Sequence, residues 1–118
     1  MKKLFALLCA LAAVASAQSA PVTETLTVST TVLSLATDTI GGRGTSRPES
    51  RYCFLSLDTA AVRWRVDGID PTDSVGHVMA SGASLELYGH ETIARFKVIR
   101  DTASDGVLTA TCWETEPF

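Results

Sequence analysis

The sequence predicts an all-β fold, a single antiparallel β-sandwich of about seven strands that is either immunoglobulin-like or jelly-roll-like. Two observations lead to this prediction. Beyond residue 17 the chain is a series of short segments in which apolar and polar residues alternate. Gly, Asp and Pro residues typical of turns separate these segments, and the periodicity of helices is nearly absent. No repeat or linker divides them, so we expect one domain, residues 18–118.

The segment that precedes this domain, residues 1–17, has the organisation of a secretory leader. Two lysines at positions 2 and 3 come before an uninterrupted apolar run over 4–14, and the small residues of 15–17 match the pattern that a signal peptidase reads. As a signal-like helix the run would span about 16 Å, roughly half of a bilayer's hydrocarbon core. We therefore expect cleavage after Ala17, export, and membrane contact only through the leader.

Each strand is expected from its own alternation. In chain order the predicted bounds are 25–35 (two short strands), 51–57, 62–66, 83–88, 92–100 and 107–113. Within 92–100 the positions that alternate towards the core are Ala94, Phe96 and Val98. Asp105-Gly106 supplies a residue tolerant of positive φ, which predicts a hairpin over 96–113.

The segment 38–50 is rich in glycine and ends near a proline, which predicts a mobile loop.

The net charge of the domain limits the classes of partner that it can bind. Without the two leader lysines, the 10 Lys and Arg become 8 against 13 Asp and Glu, so the domain carries a net charge of 8 − 13 = −5. A nucleic-acid-binding domain needs a basic patch, and we expect no nucleic-acid partner.

Cys53 and Cys112 both lie in apolar segments and share their faces with core positions. In an oxidising compartment this arrangement favours a disulfide between them, and two unpaired core cysteines are the alternative. Neither cysteine belongs to a CxxC motif, so no metal is expected there.

The acidic turn Asp67, Asp70 and Asp73 invites two interpretations. Three carboxylates at this spacing could bind calcium, but the terminal Glu of an EF-hand loop is missing. Turn chemistry is the simpler explanation, because Asp-Gly and Asp-Pro favour turns and short polar side chains cap neighbouring amides. Neither His77 nor His90 stands in the context of a nucleophilic triad. We therefore expect no enzyme activity, no cofactor and no metal.

Candidate binding residues remain on the strands. Trp64 alternates with valines and belongs to the core, whereas Trp113 lies opposite to the face of Cys112 and is expected to be a contact residue. Arg63 and Arg65 alternate with the same valines, so they are expected on a polar face and complete the candidate binding surface.

The middle and end of the chain resemble small structural proteins of tailed bacteriophages. The resemblance covers about half of the chain, and its motifs are VRWRVDG (62–68), DPT (70–72), VGH (75–77), LELYG (85–89), RFKVIR (95–100) and VLTAT (107–111). It implies a β-sandwich virion component of the decoration type, without known catalysis, which acts through self-association or contacts with other virion proteins.

Two functions are therefore expected. The resemblance implies a non-enzymatic virion protein, with strand edges and the loop 38–50 as docking parts. The leader favours an exported module that binds a glycan or a cell surface, because tailed-phage capsids assemble in the cytoplasm, where an exported protein would not meet them.

Overall fold

The computed structural model describes residues 20–115, in which eight strands and two short helices form one layered structure. The strands are β1 (Val22–Val28), β2 (Leu33–Ser34), β3 (Tyr52–Asp58), β4 (Val62–Arg65), β5 (His77–Met79), β6 (Ser84–Tyr88), β7 (Lys97–Arg100) and β8 (Gly106–Trp113), and the helices are α1 (Thr37–Ile40) and α2 (His90–Arg95). The predicted all-β sandwich is confirmed. The leader, residues 1–17, lies outside the described residues.

The strand order assigns the sandwich to the jelly-roll type. The first sheet has the order β1-β8-β3-β6 and the second has the order β2-β7-β4-β5, and every pair is antiparallel. The pairs are therefore nested: the first strand lies beside the eighth, the second beside the seventh, the third beside the sixth and the fourth beside the fifth. This nesting is the order of a rolled-up eight-stranded jelly roll, so it decides between the two predicted types.

The core lies between the two sheets and follows the predicted alternation. On β3 the residues Cys53, Leu55 and Leu57 are buried while Phe54 and Ser56 are exposed. On β8 every second residue from Gly106 to Cys112 is buried in the same way. Residues of the second sheet complete the core, among them Val62 and Val98. An inward face of this kind supplies most of the folding free energy, because its apolar area is removed from water.

The hairpin predicted over 96–113 is wrong. β7 belongs to the second sheet and β8 to the first, so the loop between them crosses the sandwich instead of joining neighbours. Gly106 is not in the positive-φ region either. A Cβ at this position would lie 2.7 Å from the carbonyl oxygen of Ala60 and 2.9 Å from Cγ1 of Val62, so the glycine is required by close packing.

The strand predicted over 92–100 is wrong in its first half. Helix α2 covers His90–Arg95 and carries Ile93 into the core, while Ala94 is exposed. This turn of helix lies where the chain crosses from β6 in one sheet to β7 in the other. The predicted core positions Phe96 and Val98 are both fully buried. β5 was not predicted.

The loop 38–50 begins inside α1 and is held by the side chains of Arg47, Ser50 and Thr45. Nη1 of Arg47 donates hydrogen bonds to the carbonyl oxygens of Asp38 (3.0 Å) and Thr39 (3.1 Å) and to Oγ of Ser50 (3.1 Å). The buried hydroxyl of Ser50 also donates to the carbonyl of Thr39, at 2.6 Å. These bonds hold the end of α1 against the start of β3. That the segment is mobile stays a prediction.

Candidate functional site

Three aromatic side chains form a row across the outer face of the first sheet. Tyr52 on β3 is the register partner of Tyr88 on β6 and of Trp113 on β8. Its ring centroid lies 5.2 Å from that of Tyr88 and 5.4 Å from that of Trp113. We call these three residues the aromatic row. The central ring, of Tyr52, is 4% exposed, while Tyr88 at the edge is 48% exposed and Trp113 is half-buried.

The aromatic row exists because of strand parity. Successive side chains of a strand point to opposite faces, so the core positions Cys53, Leu87 and Cys112 direct their neighbours in sequence outward. Phe54, two positions along β3, is on the same outer face and is 41% exposed. An exposed cluster of large aromatic side chains on the solvent side of a sheet marks an interaction surface.

A carboxylate is fixed beside the aromatic row. Glu86 lies on β6 opposite Phe54, and its Oε2 accepts hydrogen bonds from the hydroxyls of Tyr88 (2.7 Å) and Tyr52 (2.9 Å). These bonds, first that of Tyr88 and then that of Tyr52, lower the pKa of Glu86 below its ordinary value. Burial and the neighbouring carboxylate raise the pKa of Tyr52. The site therefore presents an ionised hydrogen-bond acceptor at neutral pH.

The strands of this face are polar outside the aromatic row, and the exposed Arg51 directly precedes β3. Strands β1, β3, β6 and β8 contain neither lysine nor arginine. Apart from the aromatic side chains, the outward positions carry mainly hydroxyl groups, those of Thr23, Thr25, Ser56, Ser84, Thr109 and Thr111. Glu86 and Asp58 are the charged outward residues of these strands. The face thus combines apolar rings with neutral hydroxyls and two carboxylates.

Arg63 and Arg65 do not join Trp113. Both lie on β4 in the second sheet, and their side chains are directed to the opposite side of the sandwich. Nε of Arg63 donates to Oδ1 of Asp101 at 2.6 Å, and its Nη1 donates to the carbonyl of Gly76 at 3.1 Å. Arg65 forms a two-pronged pair with Asp67. Each guanidinium is thus paired with a carboxylate.

Two of the three carboxylates of the acidic turn, those of Asp67 and Asp70, are paired with basic side chains, and Asp73 is exposed. The paired guanidinium of Arg65 lowers the pKa of Asp67 to about 2, and Oδ1 of Asp67 accepts a hydrogen bond from the amide of Ile69 (3.2 Å). Asp70 accepts a hydrogen bond from Nζ of Lys97 at 2.8 Å. Within residues 20–115 no three His, Cys, Asp or Glu side chains are grouped to hold a metal ion. These contacts favour the turn interpretation over a calcium site.

The histidines occupy other surroundings. The ring of His77, on the edge strand β5, lies against Trp64 with centroids 4.7 Å apart. His90 is the first residue of α2. Neither imidazole forms a hydrogen bond with another side chain of the described part of the chain.

An open groove of about 600 Å³ lies on the second-sheet side, between the turn at 71–73 and the end of β7. Two of its charged residues are engaged in ion pairs, Arg100 with Asp105 at 2.7 Å and Asp101 with Arg63 at 2.6 Å. With these groups neutralised, the lining offers a ligand the exposed carboxylate of Asp73 and no aromatic side chain. The aromatic row is the better candidate site.

Sequence reasoning named Trp113 and missed the other members of the site. Alternation could have placed Tyr88 and Glu86 on one outward face of β6, because they alternate with the apolar Leu85 and Leu87. The sequence does not show the register in which β3, β6 and β8 pair, and this register brings the aromatic side chains together. The meeting of Tyr52, Tyr88 and Trp113 depends on three strands that are far apart in the chain.

Comparisons with known proteins do not assign a function to this chain. No family model matches the chain, and no curated protein and no solved structure matches it either. Among the helices of residues 20–115, none is long and apolar enough to span a membrane. A functional proposal therefore has to rest on the aromatic row, the disulfide and the sequence features.

Proposed function

We propose that this protein is an exported, non-enzymatic carbohydrate-binding domain, and that it binds a polysaccharide on the outer face of the first sheet. The observation that carries the proposal is the aromatic row. Sugar rings have apolar faces lined by C–H groups and a rim of hydroxyls. Aromatic rings cover the apolar faces, while neighbouring polar groups bond the hydroxyls. Tyr88, Trp113 and Glu86 supply both kinds of contact on one surface.

Export is supported by the cysteines as well as by the leader. Cys53 and Cys112 are joined by a disulfide in the core of the first sheet. Such bonds persist in oxidising compartments and are rare in the cytoplasm. The intact mass of the native protein tests this part of the proposal. We expect a chain that starts at Gln18 and gains two hydrogens on reduction, and an uncleaved chain with free thiols would contradict export.

The binding test uses truncation of the exposed rings. Trp113→Ala and Tyr88→Ala should each weaken binding to a polysaccharide by about 10-fold or more, as for aromatic anchors at other interfaces. Ile69→Ala is the matched control, because Ile69 is 57% exposed but lies in the turn after β4. Affinity electrophoresis in gels that contain a panel of polysaccharides measures all three, with near-ultraviolet circular dichroism to verify folding. Equal mobility of all variants with every glycan would overturn the proposal.

A virion decoration protein is the second candidate. The jelly-roll order favours it, because this architecture recurs in viral capsid proteins as well as in lectins. Apolar side chains on the second-sheet side, Val75 (48% exposed) and Val78 (54% exposed), could contact a second copy of the chain. Analytical ultracentrifugation tests this candidate: a concentration-dependent oligomer that Val78→Asp disrupts would support it, and a strict monomer at all concentrations would count against it.

A further inference from the structure

We infer that the ligand of the aromatic row is an uncharged, extended β-1,4-linked glycan that lies across the strands, with Glu86 accepting hydrogen bonds from its hydroxyls. This inference rests on the proposed function and narrows it to a ligand class, an orientation and a polar contact. Three features of the outer face carry it: the direction of the row, the charge of the surrounding strands and the position of the carboxylate.

The direction of the row sets the orientation of the glycan. Tyr88, Tyr52 and Trp113 are register partners, so a line through them runs across the strands and not along one. The central ring is almost completely buried, which leaves the outer two rings as the accessible surfaces. These two rings are two strand spacings apart, about 10 Å.

That separation matches one disaccharide repeat of an extended β-1,4-linked chain. In such a chain each sugar is turned over relative to the one before it, so every second sugar presents the same face. Alternate sugars can therefore cover Tyr88 and Trp113, while the sugar between them passes over the edge of Tyr52. A coiled α-1,4-linked glucan does not keep this flat repeat and fits the row poorly.

The charges of the outer face favour an uncharged glycan. The four strands of this sheet contain no lysine or arginine, and Asp58 and Glu86 both point outward. An acidic polysaccharide would meet the two carboxylates of these strands, which disfavours its approach, and the exposed Arg51 just before β3 is paired with Glu49 at 3.7 Å. Lysine and arginine are in fact found in the second sheet, on the other side of the sandwich.

Glu86 is placed to accept hydrogen bonds from the hydroxyl groups of a glycan. Both tyrosine hydroxyls donate to its Oε2, which fixes the carboxylate beside the row. An ionised carboxylate has about four acceptor positions, so these two bonds leave capacity for hydroxyl donors of a ligand. Phe54 is the register partner of Glu86, and its exposed ring offers the glycan a further apolar contact beside this carboxylate.

Isothermal titration calorimetry on the complete mature protein tests the inference with defined ligands. The probes are a β-1,4-linked glucose oligosaccharide series from two to six units, the corresponding series of N-acetylglucosamine, maltohexaose, and oligosaccharides of hyaluronan and polygalacturonate. We expect binding to at least one uncharged β-1,4 series, with affinity that rises steeply from the disaccharide to the trisaccharide. Three units are the shortest chain that reaches both outer rings.

Two substitutions test the contacts. Glu86→Gln keeps the shape of the side chain but removes its charge, and it should weaken trisaccharide binding about 10-fold, as expected for loss of a charged hydrogen-bond acceptor. Asp73→Asn, an exposed acidic residue outside the first sheet, is the matched control and should bind as the wild type does. Trp113→Ala should remove the gain from disaccharide to trisaccharide.

The outcomes separate the inference from the proposed function. Preference for maltohexaose or for an acidic glycan overturns the inference but supports a carbohydrate-binding domain. An affinity that does not change with chain length, or a Glu86→Gln variant with full affinity, also overturns it. Absence of binding to every probe and to the polysaccharide panel overturns the proposed function itself.

Discussion

Cys53 on β3 and Cys112 on β8 are direct cross-strand partners, with Cα atoms 4.1 Å apart and their sulfurs joined in a disulfide. The next pair in the same register is Tyr52 with Trp113, two thirds of the aromatic row. A one-residue slip between β3 and β8 would move these rings to the other face. The disulfide in the core therefore also fixes the register of the outer face that carries the aromatic row.

Removal of the disulfide should destabilise the protein strongly. The cysteines are 59 residues apart in sequence, and on the chain-entropy model closing a loop of that length contributes about 4 kcal/mol. We expect the double variant Cys53→Ala, Cys112→Ala to lose about that much free energy of unfolding, measured by urea denaturation. The wild-type protein under reducing conditions should lose a similar amount. Unchanged stability in both cases would show that the bridge does not form.

Gly106 should not tolerate a methyl group. Since the Ala60 carbonyl and Val62 stand where a Cβ would lie, Gly106→Ala must displace backbone, and overpacking of this kind costs about 1–3 kcal/mol. Ser56→Ala, an exposed position on the neighbouring strand, should change stability by less than about 0.5 kcal/mol. Chemical denaturation of both variants makes the comparison. A neutral Gly106→Ala variant would contradict the close approach.

The hydroxyls of Tyr88 and Tyr52 should lower the pKa of Glu86 to different extents. Tyr88 contributes most to lowering it, so Tyr88→Phe should raise the pKa more than Tyr52→Phe does. Carbon-detected NMR titration of the side-chain carboxyl measures both, and Thr111→Val is a control on the same face. Equal pKa values in all variants would contradict the hydrogen bonds.

The same pKa predicts the pH dependence of stability. Because the folded-state pKa of Glu86 lies below the ordinary value of 4.5, its hydrogen bonds stabilise the protein above that pH. This contribution is lost as the pH falls through the folded-state value. The stability difference between the wild type and Glu86→Gln should therefore be largest near neutral pH and shrink in acid. Denaturation series from pH 7 to about pH 3 make the comparison.

Arg47 should control the opening of the loop 38–50. Arg47→Met removes the guanidinium that donates to the carbonyl of Thr39 and to Oγ of Ser50, so the amides of Gly41 and Gly42 should exchange with solvent about 10-fold faster or more. Arg43→Met changes an exposed arginine of the same loop and is the control. Hydrogen exchange followed by NMR resolves the individual amides. Unchanged exchange in Arg47→Met would mean that the backbone bonds and the hydroxyls of Thr45 and Ser50 hold the loop without Arg47.

Local pattern was sufficient for much of the fold. The alternation of β3 and β8 predicted which side of each strand is buried, and it put both cysteines in the core because burial follows strand parity. It failed at His90–Arg95, where a short helix with weak sequence signals lies in the crossing between the sheets. It also failed at the turn before β8, since a hairpin and a crossing loop use the same turn residues.

The sequence by itself determined an all-β sandwich, the inward faces of its main strands and the outward position of Trp113, because all three follow from interactions between residues close in the chain. Only the tertiary structure decided the nested order of strands, the partners of Arg63 and Arg65, and the meeting of Trp113 with Tyr52 and Tyr88. These depend on register between strands that are distant in sequence, and register is set by how the two inner faces pack against each other.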